Sequence, residues 1–162
     1  MMSLYQERIY WHIRKFVFDH DDANDIVQNT FIKAFRGIGG FRSDAKLYTW
    51  LYKIASNESI TFLKKKSKRQ TDSLEDEDGL SIGSRLRSDA YFDGDHAQET
   101  LQKAIANLPD KQRLVFNMRY YDELPYNDIS TVLGTSVGAL KASYHHAVKK
   151  IEQYVKETFE SV

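Results

Sequence analysis

Apolar residues recur at helical spacing along nearly the whole chain. The pattern fails over one long stretch, KSKRQTDSLEDEDGLSIGSRLRSDAYFDGDHAQET. That stretch is rich in Asp, Ser and Gly, so it reads as a linker, flexible when free. Elsewhere no strand-type alternation bounded by turn signals occurs. The expected fold is therefore all-α. Two small helical domains, residues 1–69 and 99–162, flank an acidic linker at 70–98.

Charge follows the same division. Residues 1–69 hold 13 Lys+Arg against 7 Asp+Glu, the linker 2 against 8, and residues 99–162 8 against 8. The formal total of zero thus hides a basic first part and an acidic linker, a segregation that bears on partners more than the sum does. The 162 residues are 41% hydrophobic and 28% charged, as in soluble globular chains. No apolar run nears the roughly 18 residues that span a bilayer. The first residues, MMSLYQERIYWHIRKF, contain no signal-peptide apolar segment. There is no cysteine, which excludes disulfides, zinc fingers and thiol nucleophiles and agrees with a reducing compartment. A cytoplasmic protein without membrane insertion is expected.

The helices are expected at about Leu4–Phe18, Asp22–Arg36 and Lys46–Lys65, then Glu99–Asn107, Pro109–Tyr121 and Tyr126–Leu133. The last follows a turn at Gly134–Thr135, with Ser136 as its cap. The DHDD run, Asp19 to Asp22, supplies N-cap carboxylates, and Gly37, Gly39 and Gly40 stop the second helix. Pro109 falls in a first helical turn, where a missing N–H costs nothing.

The final helix has two faces. Val137, Leu140, Tyr144, Val148, Ile151 and Val155 form a core stripe, while Gly138, Ala142, His145, His146, Lys149 and Gln153 lie opposite. Two short helices, a tight glycine turn and a small-residue N-terminus make a helix-turn-helix pattern. Small residues let the backbone approach base edges, Ala142 suits a thymine methyl, and Lys141, Lys149 and Lys150 suit phosphates. A solvated face on an ordinary helical hairpin is the competing reading. A metal site is disfavoured, because adjacent histidines diverge by about 100° and helical metal pairs sit at i, i+4.

The second helix puts Val27, Thr30, Phe31, Ala34 and Ile38 on a core stripe and Asp25, Gln28, Asn29, Ile32 and Arg36 opposite. An isoleucine ringed by polar groups fits a protein-docking patch, or is one stray surface residue. The third helix combines Tyr48, Trp50 and Tyr52 with Lys53, Lys64, Lys65, Lys66, Lys68 and Arg69. Aromatics stack on unpaired bases and cations follow phosphates, although some of these aromatics must be core. No glycine-rich phosphate loop, metal cluster or nucleophile–base set is present in the sequence, so an enzyme is the least favoured class and no cofactor is expected.

DANDIVQNTFIKAF, FRSDAKLYTWLYKIASN and LPDKQRLVFNMRYYDELPYNDISTVLGTSVGALK, in this order, together resemble a bacterial RNA polymerase sigma factor of the small extracytoplasmic-function group. The resemblance covers nearly everything outside the linker. It implies a factor that binds core RNA polymerase and directs promoter-specific initiation. Asp25, Gln28, Asn29, Ile32 and Arg36 would dock on the clamp of the largest subunit. Phe41, Arg42, Tyr48, Trp50, Lys53, Asn57, Lys64 and Lys65 would take the non-template strand of the −10 element. Ser136, Gly138, Ala139, Lys141, Ala142, His145, His146 and Lys149 would read the −35 element, while the same domain meets the polymerase flap. The acidic linker would thread toward the RNA exit channel. The group commonly has an anti-sigma factor as a further partner. It usually has an acidic residue where Asn29 stands and arginines where Ser143 and His146 stand. The alternatives are a plain helix-turn-helix regulator, which leaves residues 22–65 unexplained, and a helical protein-binding module without sequence-specific DNA affinity.

Overall fold

The computed structural model describes residues 2–41, 46–72 and 95–160. Arg42 and most of the expected linker, residues 73–94, lie outside the described residues. Seven α-helices follow one another: α1 (Met2–Val17), α2 (His20–Gly37), α3 (Leu47–Asp72), α4 (His96–Ala106), α5 (Asp110–Tyr120), α6 (Tyr126–Leu133) and α7 (Val137–Glu160). A 3₁₀ turn, Ile38–Gly40, follows α2, and no strand occurs among the described residues. The fold is all-α, as the periodicity requires.

Local chemistry sets where each helix begins and ends. α1 stops because Phe18 takes a left-handed conformation, φ +67°, with its carbonyl held by the Arg14 guanidinium. Asp19, not Asp22, caps α2: its carboxylate accepts the Asp22 backbone N–H at 3.2 Å, so the helix begins two residues earlier than expected. Asp21 and Asp22 then occupy the first turn, where the helix dipole favours negative charge. The far end of α2 does not use a left-handed glycine. Gly37 is helical and the chain tightens into the 3₁₀ turn. A Cβ on Gly37 would sit 3.4 Å from Trp50 Cζ2, in van der Waals contact with the indole.

α3 runs past the expected Lys65 to Asp72. Its Lys- and Arg-rich end has good helix propensity, and Lys66 is tied to Asp22 at 2.8 Å. α4 starts at His96 because Asp95 caps it, accepting from the Ala97 N–H at 3.1 Å. Pro109 is itself the cap residue of α5 rather than part of its first turn.

Helices α1–α3 and α4–α7 do not form separate cores. One continuous apolar cluster joins Ile9, Ile13 and Phe16 of α1, Ile26 of α2 and Leu51, Tyr52 and Ala55 of α3 to residues of the second group. Those are Leu114, Val115 and Met118 of α5, Leu124, Ile129 and Val132 around α6, and Leu140 of α7. A smaller cluster of Ala104, Ile105, Leu108, Phe116, Ala147 and Ile151 fixes α4 against α5 and α7.

Polar groups pin the register where the two groups meet. Buried His12 lies 2.9 Å from Ser56 Oγ through Nε2 and 3.6 Å from an Asp122 oxygen through Nδ1. The Arg113 guanidinium covers the Phe16 ring at 4.4 Å while donating to the Ala106 and Leu108 carbonyls. Burial lowers the pKa of Arg113, with Asp110 opposing. Burial also raises the pKa of Tyr52, and nearby Asp122 adds to the rise. Ile13 is 0% exposed at the centre of the joint cluster. Ile13→Ala should therefore cost about 2–4 kcal/mol and lower the stability of both helix groups in a single transition. Chemical denaturation followed separately by Trp fluorescence and by far-UV circular dichroism checks this. Two separate transitions, with only one shifted, would refute the shared core.

Candidate nucleic-acid and protein interfaces

The turn between α6 and α7 is built residue by residue. Gly134 ends α6 in the left-handed region, φ +65°, which an L side chain adopts only with strain. The Ser130 hydroxyl donates to the Thr135 carbonyl at 2.6 Å. Ser136 then caps α7, its oxygen accepting the Ala139 N–H at 3.3 Å.

The turn fixes which side of α7 faces inward. Leu140, Ala147 and Ile151 are buried, and Val137, Tyr144, Val148 and Val155 are partly buried. The stripe is as expected from sequence except that Ala147 joins it. Ser136, Gly138, Ala139, Lys141, Ala142, His145, His146 and Lys149 are all exposed. No atom lies within 4 Å of where a Gly138 Cβ would be, so this end of the helix is open to close approach. The His145 and His146 ring centres are 6.0 Å apart. Lys141 extends over the Tyr126 ring at 5.8 Å, and Lys149 makes only a long, exposed pair with Glu152.

α3 sorts its own residues. At 100° per residue, Trp50, Lys53, Asn57 and Lys64 fall within about 60° of one another. Lys53, Asn57, Lys64 and Lys65 are exposed. Trp50 is half-buried and packs on Phe41, with ring centres 5.1 Å apart. This side therefore carries an aromatic pair at one end and cations along its length. Tyr52, grouped with Trp50 and Tyr48 from sequence, is a core residue at 0% exposure. Tyr48 stands about 160° around the helix from Trp50. Its hydroxyl bonds the Asp128 carboxylate of α6, and Arg8 lies over its ring at 5.2 Å. The structure thus does not bring Tyr48 together with the other α3 candidates.

On α2, Asp25, Gln28, Asn29, Ile32 and Arg36 are exposed as expected, and Ala23, Ile26, Val27, Thr30 and Ala34 are buried. Ile38 departs from expectation. It was placed on the core stripe but is 50% exposed, because the 3₁₀ turn rotates it out of helical register. Ile32 at 47% is accordingly not a stray surface residue. With Phe35 at 63% and Ile38 it forms a row of large exposed apolar side chains. Sequence reasoning passed over Phe35, although its position three residues after Ile32 places the two side by side on a helix.

Among the described residues, no helix is long and apolar enough to cross a membrane, and no group of three or more His, Asp or Glu is arranged to hold a metal.

Two family profiles match parts of this chain. The profile described as Sigma-70 region 2 matches residues 1–69, and that described as Sigma-70, region 4 matches residues 98–151. The chain is 32% identical to the RNA polymerase sigma-H factor of Pseudomonas aeruginosa, over 92% of this chain and 81% of that protein. It is 29% identical to the ECF RNA polymerase sigma factor SigW of Bacillus subtilis, over 97% and 88%. In fold it is similar to the sigma factor RpoE solved with the anti-sigma factor NepR from Bartonella quintana. There the TM-score is 0.78 at 23% identity, over 96% of this chain and 94% of that one. CnrH, solved with the cytosolic domain of CnrY, gives a TM-score of 0.67 at 18% identity, over 96% and 84%.

The α6–α7 turn makes a direct prediction. Ser136→Ala should cost about 1 kcal/mol through the lost cap, and Gly134→Ala about 1–2 kcal/mol through backbone strain. Urea denaturation of both variants checks this, and a neutral Gly134→Ala would contradict the left-handed turn.

Proposed function

Because this chain belongs to the sigma-70 family, in its extracytoplasmic-function group, we propose that three exposed helix faces divide its work. The protein binds core RNA polymerase and directs promoter-specific initiation. The residue-level assignment is our reading. The α2 face of Asp25, Gln28, Asn29, Ile32 and Arg36, extended by Phe35 and Ile38, docks on the polymerase clamp. The α3 side of Trp50, Lys53, Asn57, Lys64 and Lys65, with Phe41 against Trp50, takes the separated −10 strand. The α7 face from Ser136 to Lys149 enters the major groove of the −35 element. One observation carries this assignment: each face is exposed, and each lies on a different helix whose other side is core.

Each role follows from the chemistry present. The apolar row on α2 provides area to bury against protein, with polar neighbours to orient it. The α3 side combines a ring that can stack on a base with cations that follow the backbone. Capturing a base requires unstacking it at a cost of a few kcal/mol, which contacts around Asn57 and Trp50 must offset. On α7 the small residues allow close approach, while the lysines and imidazoles donate to phosphates and base edges. In this reading the protein makes and breaks no covalent bonds, and it works in the cytoplasm beside the polymerase. An anti-sigma factor is a fitting further partner. A plain helix-turn-helix regulator would leave the α2 and α3 faces without a role.

The test is run-off transcription on fragmented genomic DNA with purified core polymerase. Discrete start sites that share upstream motifs, and depend on the protein, are the expected result. No specific transcripts would refute initiation by this chain. Two variants separate the faces. Ile32→Asp should weaken core binding at least tenfold while leaving −35 duplex binding unchanged, because a charge in an apolar contact is costly. Lys141→Ala should weaken duplex binding across sequences and reduce the slope of log affinity against log salt by about 1. Titrations of core and of duplex, the latter at several salt concentrations, read both effects. An unchanged salt slope would remove Lys141 from the DNA contact.

A further inference from the structure

We infer that the groove between α1 and α2 is a subsite of the α2 docking face and takes one arginine side chain of the polymerase clamp. The assignment rests on the reading of α2 given above. It adds a contact on α1, a helix to which that reading gives no role.

α1 and α2 form a helical hairpin, joined through Phe18 and Asp19. An open groove of about 310 Å³ runs between them, lined by Ser3, Gln6, Glu7, Tyr10, Asn24 and Val27. The four α1 residues recur at helical spacing and so share one side of that helix. Val27 is buried and forms the floor. Tyr10 is half-buried, and Ser3, Gln6, Glu7 and Asn24 are exposed at the rim. Tyr10 and Asn24 are held in place from below. The Tyr10 hydroxyl lies 2.6 Å from His20 Nδ1, and the Asn24 amide nitrogen lies 3.1 Å from His20 Nε2. A side chain that enters has few groups to order, which lowers the entropic cost of binding.

The groove borders the docking face. At 100° per residue, Asn24 lies about 40° from Gln28 and about 80° from Ile32 around α2. A partner laid along Asp25, Gln28 and Ile32 therefore has its flank over the groove, where one long side chain can reach in.

The lining selects which side chain. Val27 and the Tyr10 ring offer apolar surface to a flexible stem, and the ring face attracts a cation. Glu7 supplies a carboxylate, and its side chain has no basic partner among the described residues. The neighbouring cations are engaged elsewhere. Arg8 lies over the Tyr48 and Tyr52 rings, Lys33 pairs with Glu58, and Lys66 pairs with Asp22. Arg36 sits about 18 Å farther along α2 than Asn24. Asp21 and Asp25, both exposed on α2, add negative potential on the same side. A guanidinium fits this setting better than an ammonium does, because it pairs with a carboxylate through two hydrogen bonds and stacks on a ring. Nucleic acid has the wrong charge. A free small molecule fits poorly, since ligand pockets of about 300–1,000 Å³ enclose most of what they bind, whereas this groove is open and at the small end of that range.

Titration of the labelled protein with core polymerase reads the subsite. Glu7→Lys should weaken core binding about tenfold or more, because it sets like charges together. Glu7→Gln should weaken it about two- to fivefold and flatten its dependence on salt. Gln6→Trp fills the groove without changing charge and should weaken binding about threefold or more. Glu160→Lys makes the same charge change at the end of α7 and should leave binding within about twofold. These three positions are exposed, so the fold is kept. The chain has no cysteine, and Ser3→Cys therefore carries a single photo-crosslinker. With core polymerase it should join to an arginine-containing peptide of the clamp. Core binding by Glu7→Lys and Gln6→Trp equal to wild type would overturn the arginine subsite. So would crosslinks confined to a second copy of this chain or to another subunit. Ile32→Asp separates the two readings. If it weakens core binding and the groove variants do not, the subsite alone fails. If neither weakens it, docking through α2 fails as well.

Discussion

The burial of α5 against α1 and of α6 against α3 is the contact on which the rest of the structure depends. Leu114, Val115 and Met118 meet Ile9, Ile13 and Phe16 in one cluster, with Leu51, Tyr52 and Ala55 on its other side. Neither helix group is large. A three-helix unit of about 70 residues buries a modest fraction of its surface when it folds alone, so sharing a core provides apolar cover that each group would otherwise lack. The shared core also fixes which sides of α2, α3 and α7 face outward, and those outward sides are the candidate functional faces.

This arrangement reconciles two demands. A factor that reads two separated DNA elements needs modules that can part. A free protein at working concentration cannot leave large apolar surfaces in water without risking association. Covering one module with the other meets the second demand. The polar groups at the joint suit such a contact. Lys46 and Tyr48 hydrogen-bond Asp128 across it, while His12 and Asp122 face each other at 3.6 Å without a hydrogen bond.

The α2 face illustrates how a surface gains its character. Helical periodicity alone leaves one isoleucine among polar residues. The 3₁₀ turn after Gly37 adds Ile38, and Phe35 completes the row. Gly37 also lies against the Trp50 ring, which a Cβ there would touch at 3.4 Å. One backbone feature thus shapes the end of the exposed apolar row on α2 and lies against the Trp50 ring of α3.

The sequence by itself determined the all-α class, the three motif-bearing segments and the inward and outward sides of α2 and α7. Periodicity, caps and turn chemistry are local, and they act within a few residues. It also marked the α6–α7 turn, because Gly134 and Ser136 each have one conformational use there. Tertiary structure decided the rest. Tyr48, Trp50 and Tyr52 read alike in sequence, yet Tyr52 is core, Trp50 rests on Phe41 and Gly37, and Tyr48 is held by Asp128. Asp128 lies 80 positions from Tyr48 along the chain, and no local pattern encodes a pairing over that separation. The joining of two helical groups into one core was hidden for the same reason: apolar stripes show that a face must be covered, and only the folded chain shows by what.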